Sequence, residues 1–309
     1  MKTSVFWQTK QIVEGLKFLC EMSTSVLINS RRDEKPKVRY STPGHLSPNY
    51  ARPICLFCSF DEKSVIRKNV YYYLSKLKLA GFDIIFISSS EMISDTDLRE
   101  CSKLCIRIII RENRGYDFYG WKIGLQEYPQ YHLHSALLLA NDSVLGPFFS
   151  IKNLIARLEN NSADIIGMTD SLHFHPHLQS YFLYCKKTVI NSEEFAQFFS
   201  KIEVLEFKMA IIRKYEVGFS QSFGRRFKLS ALYSLEGILN HIHYDNRPKY
   251  WIDATTCLWK PLLTEFNFPF LKKKLLIKRG INIEEVSEIL ARSGSNYTVD
   301  MLAEYIVST

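Results

Sequence analysis

The sequence predicts an α/β fold whose mostly parallel sheet is flanked by helices, and three observations carry the prediction. Short continuous apolar runs recur through the first two thirds of the chain, and segments of helical spacing separate them. Four of those runs are followed within a few residues by an aspartate, as strand ends that turn into helices often are. The composition is globular: of 309 residues, 46% are hydrophobic and 23% charged, with 13 Gly and 10 Pro, which excludes a wholly disordered, collagen-like or low-complexity chain.

Taken in order, residues 4–29 carry helical periodicity, with Phe6, Val13, Leu16, Leu19 and Leu27 set among polar residues. Residues 29–53 are polar and contain Pro36, Pro43 and Pro48, and read as a linker or loose loop. ICLFCSF (54–60) has the unbroken apolar pattern of a strand buried on both faces. Residues 65–79 have helical spacing, with Gly81 placed to end the helix. DIIFIS (83–88) and CIRIII (105–110) are the second and third strands, and 117–127 suits a helix. ALLLA (136–140) is a fourth strand, 151–159 a helix, DIIGM (164–168) a fifth strand and SYFLYC (180–185) a sixth. After residue 192 the pattern is mostly helical, and the last third is basic, aromatic and punctuated by Pro. The expected division is an N-terminal helical segment and linker (1–50), the α/β domain (51–260) and a basic helical C-terminal region (261–309).

No run of about 18 apolar residues predicts a membrane-spanning helix. Glu14 and Lys17 interrupt the N-terminal apolar run, so it does not read as a secretory signal. Seven scattered Cys, most of them inside expected strands or helices, suit reduced, buried thiols in a cytoplasmic protein. Cys55 and Cys58 form C-x-x-C, but on a strand they face opposite sides, and no second pair completes a zinc site. The alternating His173, His175 and His177 are the residue type for Zn²⁺ or Cu²⁺, yet Pro176 interrupts them, and they are read instead as a mobile loop that covers a ligand site, where a His binds hydroxyls or phosphate.

Ligands of open α/β sheets bind beyond the carboxyl ends of the strands. Those ends here offer Ser59, Phe60 and Asp61; Arg111 to Asp117; Asn141, Asp142 and Ser143; and Thr169, Asp170 and Ser171. A strand-end aspartate can simply cap the next helix, but several on one edge accumulate negative charge that cations or ligand donors must offset. No glycine-rich phosphate loop is present, so a nucleotide would need a divalent metal or an Arg/Lys clamp. Asp142 is the best candidate metal ligand, for Mg²⁺ or Mn²⁺; the plainer reading is a turn ahead of Gly146-Pro147.

The segments NRGYDFYGWKIGL (113–125), LLANDSVLGPF (138–148), GMTDS (167–171) and SYFLYC (180–185) resemble the rhamnan synthesis protein F family, and the run from Trp251 to Leu276 is similar to its ending. The resemblance implies a GT-A-like glycosyltransferase that moves a sugar, rhamnose being one candidate, from a nucleotide-diphosphate donor to a growing cell-surface polysaccharide. It implies that Ser59, Phe60 and Asp61 hold base and ribose, and that Asn113, Gly115 and Asp117 border the nucleotide. The metal-binding Asp-x-Asp would fall at Asn141-Asp142-Ser143, where only one carboxylate remains; a metal-independent variant would use Arg111 or Arg114 on the diphosphate. Glu216, in YEVGFS, would be the base of an inverting transfer, with Asp170 as the alternative, and the plain reading of Glu216 is a solvent-facing residue beside Lys214.

The net charge is +8. Lys272, Lys273, Lys274, Lys278 and Arg279 lie together without an acid and suit either an anionic membrane surface or a solvated helix face. A lipid-linked glycan acceptor would make the membrane contact useful and would place the protein peripherally on the inner face of the cytoplasmic membrane, with Phe6 and Trp7 as a second contact. A catalytically degenerate sugar-nucleotide-binding or regulatory protein is the competing class. Nucleic-acid binding is not expected, because the basic charge is confined to one segment and no reader motif appears.

Overall fold

The computed structural model describes residues 37–242 and 253–305, together with the helical positions 13, 16, 19, 20 and 23. Phe6 and Trp7 lie outside the described residues; Val13, Leu16 and Leu19 are helical and exposed.

Nine strands form the main sheet, in the order β1-β4-β3-β2-β5-β9-β7-β10 with β8 paired to β7. β2 (Ile54–Ser59), β3 (Asp83–Ser88), β4 (Arg107–Arg111) and β5 (Ala136–Asn141) are parallel to one another. β9 (Phe182–Lys186) runs antiparallel between β5 and β7 (Ile165–Ser171), and β10 (Leu229–Tyr233) adds a parallel edge to β7. This is the mostly parallel α/β sheet flanked by helices that the sequence predicts. The chief helices are α1 (Lys68–Leu79), α2 (Asp95–Ser102), α3 (Tyr116–Glu127), α4 (Ile151–Glu159), α5 (Glu193–Ser200), α6 (Leu235–His241), α7 (Lys273–Arg279) and α8 (Ile283–Arg292).

Why the central runs carry no polar break is clear from β2, whose six residues are all buried. Cys55 and Phe57 enter one apolar layer with Tyr73, Leu74 and Leu77 of α1; Ile54, Leu56 and Cys58 enter the other with Phe118 and Trp121 of α3. The two cysteines therefore do face opposite sides, and burial raises both thiol pKa values. Ser94, whose side chain accepts from the Asp97 N–H, starts α2, an element the apolar pattern does not signal.

The expected loose loop at 29–53 is corrected by β1 (Val38–Pro43), which pairs antiparallel with β4. It is a half-exposed edge strand, so it lacks the apolar run, and its proline falls at the strand end. β10 likewise interrupts the region expected to be mostly helical, because LSALY is only partly buried.

The C-terminal region closes the end of the sheet. β11 (Leu271–Lys272) pairs with β6 (Val144–Leu145), just beyond β5, and α7 and α8 pack Leu275, Leu276, Val286 and Leu290 against Leu145 and Phe148. The fully buried Asn69 of α1 locks this corner: its amide donates to the Val144 carbonyl at 3.3 Å, and its Oδ1 accepts from Gly146 N at 3.0 Å and Tyr297 OH at 2.6 Å.

α3 lies close on the sheet because Gly120 has no side chain. A Cβ there would stand 2.7 Å from Cys58 Sγ and 3.2 Å from Arg111 Nη2. Gly120→Ala is therefore expected to destabilise the fold by about 1–3 kcal/mol. Urea titration measures this, and stability equal to the parent's would refute the close packing.

Candidate functional site

The carboxyl edge of the sheet supports the site, beginning at the end of β4. Arg111 is buried (3% exposed), and its guanidinium folds the following turn: Nη1 donates to the carbonyls of Glu112 at 2.9 Å and Arg114 at 2.6 Å, and Nη2 to that of Tyr116 at 2.7 Å. Gly115, at φ +77°, caps α3 in the left-handed region, where a Cβ would also meet Tyr119 at 2.7 Å. The turn sets Asp117 in the first turn of α3. Its Oδ2 accepts from Asn141 Nδ2, at the end of β5, at 2.9 Å. Burial first, and then the charge of Asp142, push the Asp117 carboxyl up to about 6.

Asp142 sits against the end of β2. Its Oδ2 accepts from Ser59 Oγ at 2.9 Å and Phe60 N at 3.3 Å, and pairs with Lys273 Nζ at 3.1 Å. Lys274 pairs with Asp253 at 2.9 Å. Burial alone would raise the Asp253 pKa, but Lys274, Lys272 and the hydroxyls of Thr255 and Thr256 hold it well below the usual carboxylate range. Lys272 lies between these pairs with its ammonium 4.0 Å over the Tyr181 ring, and it makes no ion pair with any described carboxylate. Burial lowers its pKa to about 8.

These groups surround a cavity of about 420 Å³. Asp117, Asn141 and Ser143 come from the sheet edge; His177, Gln179 and Tyr181 from β8 (His177–Leu178) and the approach to β9; Asp253 and Lys272–274 from the C-terminal half. Lys208 and Glu216 come from a helical segment that contains a π turn, Ile212–Val217. π turns place side chains that a regular helix would turn away, and often do so at functional sites. Glu216 accepts from Ser180 N through Oε1 at 2.8 Å, and its Oε2 has no hydrogen-bond donor among the described residues.

Of the residues predicted from sequence, Asp117, Asn141 and Glu216 share this cavity, and Asp142 stands in its wall through Lys273. Ser59 and Phe60 grip Asp142 rather than lining the cavity. Asp61 is held in its own loop, accepting from Lys63 N at 2.8 Å and pairing with Arg67 at 2.6 Å. Asn113 is exposed, and Gly115 shapes the turn. Neither Arg111 nor Arg114 lines the cavity; the terminal nitrogens of the first bind backbone carbonyls, and the second pairs with Glu206 at 2.9 Å. Asp170 caps α6, its Oδ1 accepting from Leu235 N at 2.6 Å, and does not line the cavity.

The expected divalent metal does not suit this donor set. Asp142 Oδ2 already receives three donors, one of them an ammonium, and the Asn141 side chain donates to Asp117 and accepts from Ser143 N at 3.0 Å. Among the described residues no cluster of three His, Cys, Asp or Glu could hold a metal ion, and that includes the histidine run. His177 forms part of β8, while His173 stacks on Phe174 with ring centroids 3.8 Å apart. The sequence reading missed Lys208, Asp253 and the inward direction of Lys272, Lys273, Lys274 and Lys278, all of which line the cavity. The acid-free lysine run was the available signal, but it read equally well as an outward surface.

Residues 84–309 match the family described as rhamnan synthesis protein F. The chain belongs to that family. It is also similar to the uncharacterized protein y4gN of Sinorhizobium fredii, with 29% identity over 178 residues covering 56% of this chain and 46% of the relative. The chain thus spans about half the length of that relative. Among solved structures it is similar to a cytidylyltransferase from Leptospira borgpetersenii (10% identity, TM-score 0.37, covering 80% of this chain and 98% of that one). It is similar too to a glycosyltransferase involved in glycosylation of the major capsid of PBCV-1 (14% identity, TM-score 0.36, covering 61% of this chain and 87% of that one). Among the described residues, no helix is long and apolar enough to cross a membrane.

Two variants test how this member of the family uses its aspartates. The raised pKa means that folded Asp117 binds its proton more tightly than the unfolded chain does, so its ionisation costs stability as pH rises through about 6. Asp117→Asn is expected to raise Tm at pH 7.5 by on the order of a few degrees, with the gain shrinking below pH 5; thermal melts at both values check it. Asp170→Ala is expected to cost about 1 kcal/mol by removing a helix cap, measured by denaturant titration.

Proposed function

We propose that the chain is a glycosyltransferase of polysaccharide synthesis that takes its sugar from a nucleotide-diphosphate donor held in this cavity. The observation that carries the reading is convergence. Carboxylates, amides and lysines from positions 117, 141, 216, 253 and 272–274 meet in one hollow beyond the carboxyl ends of the strands. Lys272, half-buried and in no ion pair among the described residues, suits an anionic ligand, and Lys208 adds a second cation to the lining. Membership of the rhamnan synthesis protein F family supports a role in polysaccharide assembly.

In the transfer, the leaving diphosphate gathers charge as the glycosidic bond to the donor breaks. Cations already in place stabilise that charge without reorganising during the reaction. Glu216 takes the proton of the acceptor hydroxyl as its oxygen attacks the anomeric carbon, which makes the transfer inverting. Ser180 N–H fixes one carboxylate oxygen and leaves the other available for that proton. Asp117 and Asn141, bonded to each other, offer hydrogen-bonding groups for sugar or ribose hydroxyls. The finer reading is a deoxyhexose donor such as rhamnose and a lipid-linked glycan acceptor, met at the inner face of the cytoplasmic membrane. The exposed Lys278 at the cavity, with Arg279 beside it, supplies positive charge for such a surface.

Incubation with a panel of nucleotide sugars and acceptor glycan, read as nucleoside diphosphate released, tests the proposal. Glu216→Gln is expected to lower turnover by about 10²–10⁴-fold while donor binding persists. Donor binding without release in the parent chain would instead indicate the degenerate, regulatory alternative. Lys272 is cationic below about 8 and neutral above it, so affinity for nucleoside diphosphate is expected to fall as pH rises through that value. Calorimetry at pH 7 and pH 9 reads this, and equal affinities would remove Lys272 from the phosphate site.

A further inference from the structure

We infer that the ammonium of Lys273 stands in for the divalent cation of a GT-A-like site, so that this chain holds a donor diphosphate without a metal. The inference rests on the proposal that a nucleoside diphosphate occupies the cavity, and it says what neutralises it there.

The first ground is the turn after β5. Where two carboxylates would share a metal, the turn has Asn141, Asp142 and Ser143, and both ends of the Asn141 amide are occupied within the protein. Asp142 is the single acid, and its Oδ2 accepts from Ser59 Oγ and Phe60 N and pairs with Lys273 at 3.1 Å. That oxygen already serves three donors, which leaves Oδ1 as the one carboxylate oxygen of the turn to offer a cation where two carboxylates would share it.

The second ground is how Lys273 arrives. β11 pairs with β6 in a fixed register, Lys272 opposite Val144 and Leu271 opposite Leu145. The next backbone N–H, that of Lys273, donates to the Ser143 carbonyl at 3.0 Å. The backbone of the lysine is therefore tied to the same turn that its side chain neutralises. The Lys273 and Asp142 side chains are only 13% and 15% exposed, so the pair is set into the wall rather than spread on the surface. Lys273 also lies 4.8 Å from the centroid of the Tyr305 ring, which steadies it from the far side.

The third ground is electrostatic. A divalent ion at Asp142 would sit beside the Lys273 ammonium, 3.1 Å from Oδ2, whose like charge repels it. A diphosphate in the cavity meets that ammonium, with Lys272 and Lys274 also in the lining, as a partner. Lysine is a compact point charge suited to phosphate oxygens, and a lysine fixed by the fold needs no assembly from solution.

The test is calorimetric titration of the whole chain with ADP, CDP, GDP, UDP and dTDP, first in EDTA and then in millimolar Mg²⁺ or Mn²⁺. For the nucleotide that binds, affinity in EDTA is expected within about threefold of that with metal. Lys273→Met is expected to weaken binding about tenfold or more, with Lys273→Arg restoring most of it. Asp142→Asn keeps an acceptor for Ser59 and Phe60 and is expected to bind within about fivefold of the parent. Thermal melts establish that each variant is folded. Binding that appears only with metal and collapses in Asp142→Asn would overturn the inference and leave the proposed function standing. Failure of every nucleoside diphosphate to bind in either condition would overturn both.

Discussion

A cluster of adjacent ammonium groups at the end of a sheet is the constraint on which this architecture turns. Like charges repel, and each ion withdrawn from water costs several kcal/mol unless it is compensated. The chain compensates two of the three: Asp142 answers Lys273 and Asp253 answers Lys274. Lys272 makes no ion pair among the described residues; it has the face of Tyr181 and, farther off, the charges of Asp253 and Glu216. The β6–β11 pairing and the Asn69 clamp fix the backbone from which the three lysines reach the cavity lining. Rigidity at this corner and electrostatic demand in the cavity are therefore the same property viewed from two sides.

A second tension lies one strand away, in the turn that leads into α3. Gly115 and Tyr116 both have positive φ, and for Tyr116 that conformation carries steric cost. The three backbone hydrogen bonds of Arg111 offset it and hold the turn in the one shape that buries Asp117 against Asn141. A half-buried carboxylate, an off-region backbone and an arginine whose two terminal nitrogens bind the turn's carbonyls form one unit, and none of the three is explicable alone.

How much of this was legible in the sequence depended on burial. The strand at 83–88 and the helix at 151–159 were read with the bounds the structure gives, because a strand buried on two faces and an amphipathic helix leave unambiguous patterns. β1 and β10 were illegible, since half-exposed edges admit polar residues and erase the apolar run. Among site residues, Asp117 and Asn141 could be found because strand ends announce them. Asp170 has the same local signature and caps a helix, and only the position of the Leu235 N–H separates the two uses. Arg111 looked like a ligand-binding cation because the sequence does not say that its own turn folds back over it. The inward direction of Lys272–274 was hidden for a different reason: it is set by a two-residue pairing with Val144 and Leu145, far away in the chain and too short to leave a pattern.

That distant pairing also bears on how the molecule is made. Synthesis runs from the amino end, and the strands through β5 can associate while later segments are still being added. Until residues 271–273 emerge, the turn at 141–143 has no β11 to pair with β6, and Asp142 has no ammonium beside it. A growing polypeptide on the ribosome can thus own most of a sheet while the lysine wall of its cavity is still to be made.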